Sequence, residues 1–241
     1  MRSYRQFPAI CGSLLCLVLV VPQNQCSKEP SNTIRWSAGA PNCEFQRGDD
    51  GRYRWRMTDG DVDMTLIVDS QELVKSRHRL YHPLGVYLSV SYTGHDKFEF
   101  PAGLRMEFLR HHNVVEGYLD PDQLSTRMQN DIDTLIFDTE REIKKHPEKG
   151  EEKTASAREY QKEASEFIEF LGRQSLQQAV LTPGNPEVHG WVFFSSQNKW
   201  IGPWKSREDF ILRVQTKDNY WEFPFSLPPA EGDLILRKRD Q

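Results

Sequence analysis

Three acidic residues, Asp59, Asp61 and Asp63, have a spacing that could hold a hard cation. Calcium binds several oxygens on a tight turn, and its twelve-residue EF-hand loop has glycine at the sixth position and glutamate at the twelfth. Counted from Asp59, these positions hold Met64 and Ser70. The sequence therefore favours an acidic β-turn that enters a strand. A calcium-stabilised adhesion-type module is an alternative function.

Histidines, serines and cysteines could supply a zinc site or a nucleophile, but their spacing matches neither motif. His111 and His112 are adjacent, so on a strand their side chains point to opposite faces. His78 and His82 lie without an accompanying H-E-x-x-H or C-x-x-C motif. The chain also lacks a G-x-S-x-G elbow and a glycine-rich phosphate loop. We expect a non-enzymatic protein with no metal and no cofactor. An exported hydrolase with unidentified catalytic residues is the other alternative, since triads are defined by geometry.

Aromatic residues are the feature best suited to binding. Trp200 and Trp204 fall in a predicted turn, where indoles can present a platform for a sugar or a protein. Phe167 and Phe170, on a predicted helix, could leave apolar surface for a partner. Packing against the protein's own core is the competing explanation for all four residues. They form the candidate binding surface, and the expected partner is another envelope protein or a glycan.

The amino-terminal segment predicts export. Arg2 and Arg5 precede an apolar run over residues 9–21, which is the order of a secretory signal. The run is shorter than the roughly 20 residues that span a bilayer. Residues 1–25 are therefore assigned to a signal peptide or hydrophobic anchor, the one segment expected to associate with a membrane. We expect a protein that is periplasmic or anchored to the envelope.

Two cysteines, Cys26 and Cys43, would remain after removal of that segment. Cys26 lies where a bacterial lipoprotein carries its lipidated cysteine, although residues 23–25 lack the small residues of that signal. A disulfide between the two cysteines, formed in an oxidising compartment, is a second possibility, and two free thiols are a third. The sequence leaves all three open.

Net charge argues against a nucleic-acid partner. The formal net charge is -4, and residues 1–25 contain two arginines and no acids. The remainder of the chain is therefore more acidic still. Binding to nucleic acid needs clustered excess lysine and arginine, so we expect no such partner.

The elements that would position these groups follow the order strands, helices, strands. Alternating apolar residues predict strands over residues 62–68 and 84–92. An N-cap followed by proline, Asp120-Pro121, predicts a helix start. Ser156 and Glu159 fit a capping box for a second helix, in which apolar residues have coiled-coil spacing. We therefore predict a long antiparallel helical hairpin.

These elements divide the chain into segments with one central insertion. We assign residues 26–52 to a linker, residues 53–119 and 182–229 to a β-sandwich, and residues 120–181 to the inserted hairpin, with a charged tail over residues 230–241. Helices gathered in mid-chain cannot serve as β-α-β crossovers. The fold class is therefore mainly β with an α insertion.

Three segments carry a resemblance to a family. The segment GVYLSVSYTG at residues 85–94, LTPG at residues 181–184 and GWVFF at residues 190–194, followed by a strand pair over residues 210–225, resemble bacterial cell-envelope immunoglobulin-like modules. The resemblance excludes residues 121–180. It implies an antiparallel immunoglobulin-like β-sandwich without shared catalytic residues. The function that it implies is an envelope-located binding or structural module of unknown partner.

Overall fold

The computed structural model describes residues 32–69, 83–110, 114–195 and 208–227. Within these ranges the protein is mainly β, with twelve strands and two α-helices. The strands are β1 (Asn32–Arg35), β2 (Cys43–Arg47), β3 (Arg52–Asp59), β4 (Val62–Asp69), β5 (Pro83–Tyr92), β6 (Phe98–Phe100), β7 (Gly103–Phe108), β8 (Val114–Gly117), β9 (Ala179–Leu181), β10 (Glu187–Ser195), β11 (Glu208–Gln215) and β12 (Asn219–Leu227). The helices are α1 (Pro121–Lys145) and α2 (Gly150–Gln174), joined by the short 3-10 helix Pro147–Lys149.

Ten of these strands form two five-stranded sheets. The first sheet has the order β1-β12-β11-β7-β8, and the second has the order β10-β5-β4-β3-β2. Strands β6 and β9 form a separate antiparallel pair. In the described ranges, all pairs of strands are antiparallel except β1 with β12, which is parallel. The mainly β class with helices in mid-chain was therefore predicted correctly.

Apolar alternation places one face of each sheet in a shared core. In β4 the side chains of Val62, Met64, Leu66 and Val68 are buried, and those between them are more exposed. Across the core, the rings of Trp55 in the second sheet and Phe225 in the first lie 5.4 Å apart between centroids. Burying one such large apolar side chain contributes about 1.5–3 kcal/mol, so this core provides the main stabilisation of the sheets.

Helix α1 begins as predicted. The carboxylate of Asp120 accepts hydrogen bonds from the backbone N–H groups of Asp122 and Gln123, at 3.1 and 3.0 Å. Pro121 occupies the first helical position, where its missing N–H has no intrahelical partner to lose. Both features fix the point at which the chain leaves the sheets.

Helix α2 begins earlier than predicted, at Gly150, so the capping box assigned to Ser156 and Glu159 is wrong. The 3-10 helix before it leads directly into α2, and no side chain of the described residues caps the helix start. Thr154 instead donates a hydrogen bond to the carbonyl of Gly150 within the first turn, at 2.7 Å. A continuing helical turn removes the need for a new N-cap.

The range predicted to be a linker, residues 26–52, contains strands β1 and β2. Both strands lie at sheet edges, and most of their side chains are exposed, so they lack the apolar alternation that predicts a strand. Backbone pairing with β12 and with β3 orders them instead. The indole N–H of Trp36 also donates to the carbonyls of Glu44 and Arg56, at 3.3 and 3.1 Å.

Candidate functional site

The two helices pack on the outer face of β10. There the rings of Phe167 and Phe170 from α2 meet those of Trp191 and Phe193 from β10, and we call these four residues the junction cluster. Ring centroids lie 5.5 Å apart for Phe167 and Phe193, and 5.9 Å apart for Phe170 and Trp191. Phe193 is only 2% exposed. The two phenylalanines proposed as binding residues thus contact the protein's own sheet.

Both ends of the helical insertion are hydrogen-bonded to β10. Before α1, the N–H of Leu119 donates to the carbonyl of Phe193 at 2.7 Å. After α2, the N–H of Leu176 donates to the carbonyl of Trp191 at 2.9 Å. A Cβ atom on Gly190 would lie 2.5 Å from the Leu176 nitrogen, so the crossing of these two backbones requires glycine.

The part of the two helices nearest β10 has a closely packed interface, which we call the helical base (residues 119–132 and 164–176). Leu124, Met128 and Ile132 of α1 are buried against α2 and Phe193. Beside them, the hydroxyl of Tyr160 donates a hydrogen bond to the buried carboxylate of Asp131. A buried carboxylate is costly unless it accepts hydrogen bonds, and this contact supplies one.

The remainder of the helices, residues 133–163, contains no buried residue, and we call it the helical tip. A cavity of about 230 Å³ lies between the two helices there. It is lined by Leu135, Asp138, Thr139, Glu142, Lys153, Ser156, Ala157 and Tyr160. The side chain of Phe137 is 66% exposed, the highest value among the exposed large apolar side chains of the described residues. The tip is thus the least packed part of the two helices.

A charged row covers the outer face of β3 and β4 in the second sheet. Arg52 pairs with Asp69 at 3.2 Å, Arg54 pairs with Asp50 at 2.5 Å, and Arg56 pairs with Asp63. The hydrogen bond from Arg54 lowers the pKa of the Asp50 carboxyl, and the bond to Asp63 raises the pKa of Arg56. Each arginine of the row therefore has an acidic partner.

This row bears on the acidic run considered for calcium. The carboxylate of Asp63 is engaged by the guanidinium of Arg56, while Asp59 and Asp61 lie exposed at the turn. Among the described residues, no group of three histidine, cysteine, aspartate or glutamate side chains is arranged to hold a metal ion. The structure thus gives Asp63 a protein counter-ion at the place where calcium would be needed.

Burial near the junction cluster also affects Tyr87 of β5. Its ring lies edge-on to Trp191, with centroids 5.6 Å apart, and stacks on His189. Burial raises the pKa of the Tyr87 hydroxyl, and the charge of Arg52 lowers it by a smaller amount. The tyrosine remains a neutral part of the packing at ordinary pH.

Several residues singled out in the sequence lie outside the described ranges: Trp200, Trp204, Cys26, His78, His82, His111, His112 and the export signal.

Cys43 is half-buried and forms no disulfide with a described residue. Its sulfur accepts a hydrogen bond from the N–H of Ser37 at 3.4 Å. Within the ranges described, neither helix is long and apolar enough to cross a membrane. Lipidation, disulfide formation and the tryptophan platform therefore stay predictions.

The sequence predicts only half of the junction cluster, Phe167 and Phe170, as candidate binding residues. The signal that points to them is the apolar run on both faces of β10, where Val192 and Phe194 face the core and Trp191 and Phe193 face the helices. A strand with apolar residues on both faces is covered on both sides.

A comparison of the chain with family models, with curated proteins and with solved structures found no match.

Proposed function

We propose that this chain is a non-enzymatic binding or structural module of a bacterial cell envelope. Its fold would be an antiparallel immunoglobulin-like β-sandwich with a helical hairpin inserted between strands. Three features support this fold. The two sheets share one apolar core, and nearly all strand pairings are antiparallel. Residues near the start of α1 contact residues near the end of α2, and the reverse, as in an antiparallel pair of helices.

The contrast between the helical base and the helical tip carries the functional proposal. The base is fixed to β10 by two backbone hydrogen bonds and by the junction cluster. The tip buries no side chain, although it continues both helices for several turns. Such an extension adds little to the stability of the sheets, since helix stability comes mainly from packing of an apolar face. We infer that the tip is the working surface.

The chemistry of the tip fits a protein partner. Phe137 offers an exposed aromatic ring, and Ile136 and Ile143 of the same helix are only half-buried. Charged residues of both signs, Asp138, Glu142 and Lys153, line the cavity between the helices of the tip. Aromatic anchors surrounded by a polar rim are typical of protein interfaces. Binding of a glycan at Trp200 and Trp204 would instead make those tryptophans the working surface.

The location in the envelope rests on residues 1–25, which have the order of a secretory signal. Export would place the sheets and helices in the periplasm or at the envelope surface. Cell fractionation of the full chain, compared with a chain lacking residues 2–21, tests this proposal. Recovery of both chains in the cytoplasmic fraction would contradict it.

Site-specific photo-cross-linking tests the tip as working surface. A photoreactive amino acid replaces Phe137 in one variant and Val180 of β9 in a matched control, since Val180 is also an exposed apolar residue, 46% accessible. In native envelope preparations we expect a discrete protein adduct at position 137 and none at position 180. Equal adducts at both positions, or adducts at neither, would reject the proposal.

A further inference from the structure

The outer face of the first sheet carries two rows of polar residues that run across its strands. The register places these rows on β1, β12, β11 and β7. One row is Arg35, Glu222, Arg213 and Arg105, and the other is Thr33, Tyr220, Gln215 and Gly103. Neighbours in a row are directly opposite one another, so their charges interact at close range.

The acidic residues of this face are already neutralised. The two carboxylate oxygens of Glu222 bind Arg35 and Arg213, at 2.9 and 2.8 Å. The Nη2 atom of Arg213 lies 2.9 Å from the buried carboxylate of Glu107. Arg213 thus engages two carboxylates through Nε and Nη2, and its Nη1 atom makes no hydrogen bond with a described residue.

Arg105 is the cation of this row without an acidic partner among the described residues. It stands directly opposite Arg213, and its neighbour on the other side is Gly117, which has no side chain. Arg105 is exposed and forms no hydrogen bond or ion pair with any described residue. Arg105, unlike Arg213, has no carboxylate partner among the described residues, so its guanidinium is available to an anion held between the two opposite arginines.

A cavity of about 270 Å³ lies over these residues. Besides the two arginines it is lined by Thr33, Gln215 and Tyr220, which supply two hydroxyls and an amide, and by Gly103 and Glu222. A Cβ atom on Gly103 would approach the Gln215 side chain to 3.2 Å, so the glycine leaves room beside it. The volume is close to the lower end of ordinary ligand sites, about 300–1,000 Å³, which suits a small hydroxylated molecule.

We propose that this cavity binds the oxyanion group of a small hydroxylated molecule, about the size of one sugar. The carboxylate or phosphate lies between the guanidinium of Arg105 and Nη1 of Arg213, where planar donors suit such groups. The hydroxyls of Thr33 and Tyr220 and the amide of Gln215 contact the rest of the molecule. This site is on the sheet opposite the helices and does not depend on the helical tip.

Calorimetric titration of the purified full chain at low ionic strength tests the proposal with three probes. Glucuronate carries a carboxylate, glucose 6-phosphate carries a phosphate, and glucose carries neither. We expect saturable binding of at least one anionic sugar and none of glucose. The anionic probe that binds more tightly identifies the oxyanion class.

Two variants and one control locate the site. Arg105→Gln removes a charged donor and should weaken binding about tenfold or more. Gly103→Val keeps both arginines but fills part of the cavity, and it should likewise weaken binding about tenfold or more. Lys97→Gln removes one exposed positive charge outside the cavity and should leave the affinity unchanged. Circular dichroism confirms that each variant is folded.

Four results would overturn the site. The first is equal binding of glucose and the anionic sugars, and the second is an affinity of Arg105→Gln equal to that of Lys97→Gln. The third is heat that rises without saturation, which would mean general attraction of anions to exposed cations. Loss of binding in Arg105→Gln but not in Gly103→Val would equally exclude the cavity as its location.

Discussion

The helical base and the helical tip are built from the same two helices, but only the base is packed. At the base, every turn of α1 places an apolar residue such as Leu124, Met128 or Ile132 against α2 and β10. At the tip, Leu135 and Ile143 reach only half burial, and a cavity remains between the helices. The sheet, through Phe193, organises the base, whereas no third element of the described residues packs against the tip.

Replacing one phenylalanine in each region gives the largest expected contrast. Phe193→Ala removes a ring that touches both helices, and we expect a loss of about 3–5 kcal/mol in the free energy of unfolding. Phe137→Ala removes an exposed ring, and its effect should stay within about 0.5 kcal/mol. Denaturant unfolding of both variants measures the difference. Similar losses would mean that the tip is packed as firmly as the base.

Replacing each of two glycines with alanine should change the stability of the protein in opposite directions. At Gly190 an added methyl group meets the backbone of Leu176, so Gly190→Ala should cost about 1–3 kcal/mol. At Gly172 in α2 no atom of the described residues lies within 4 Å of an added Cβ, so Gly172→Ala should stabilise the protein by up to about 1 kcal/mol. Thermal melting of the two variants gives both signs. A stable Gly190→Ala variant would show that the backbone crossing can shift.

The cap of α1 should give the smallest effect at the base. Asp120→Ala removes the acceptor for two backbone N–H groups and should cost about 1 kcal/mol. Glu140→Ala, at an exposed position of the tip, serves as the control and should change stability by less than about 0.5 kcal/mol. Urea denaturation of both variants tests this order. Equal effects would mean that Asp120 contributes only its charge.

Local signals predicted much of the fold. The alternation in β4 and β5 and the Asp120-Pro121 helix start are patterns within one segment, and each appears where it was expected. Strands β1 and β2 were missed because exposed edge strands are ordered by backbone pairing with partners distant in the sequence. The parallel pairing of β1 with β12 could not be inferred for the same reason.

The residues of the candidate sites are brought together by helix packing and strand register, which cannot be inferred from a single sequence. Phe167 and Phe170 were recognised as apolar residues that needed a partner, but Trp191 and Phe193 became that partner only through packing of α2 on β10. Likewise, Arg105 is unremarkable in the sequence. Its position opposite Arg213, without an acidic partner among the described residues, becomes clear only when β7 and β11 are aligned residue by residue.

The hydrogen bonds to the carbonyls of Phe193 and Trp191 bring both ends of the helical insertion to the same strand, β10. Carbonyls two residues apart on one strand are separated by about 7 Å, so the gap that the helical insertion closes does not depend on how long the helices are. Adding or deleting matched turns in α1 and α2 would leave the sheets in register. The distance that the helices extend from the sheets can therefore change by about 1.5 Å for each residue added to both helices.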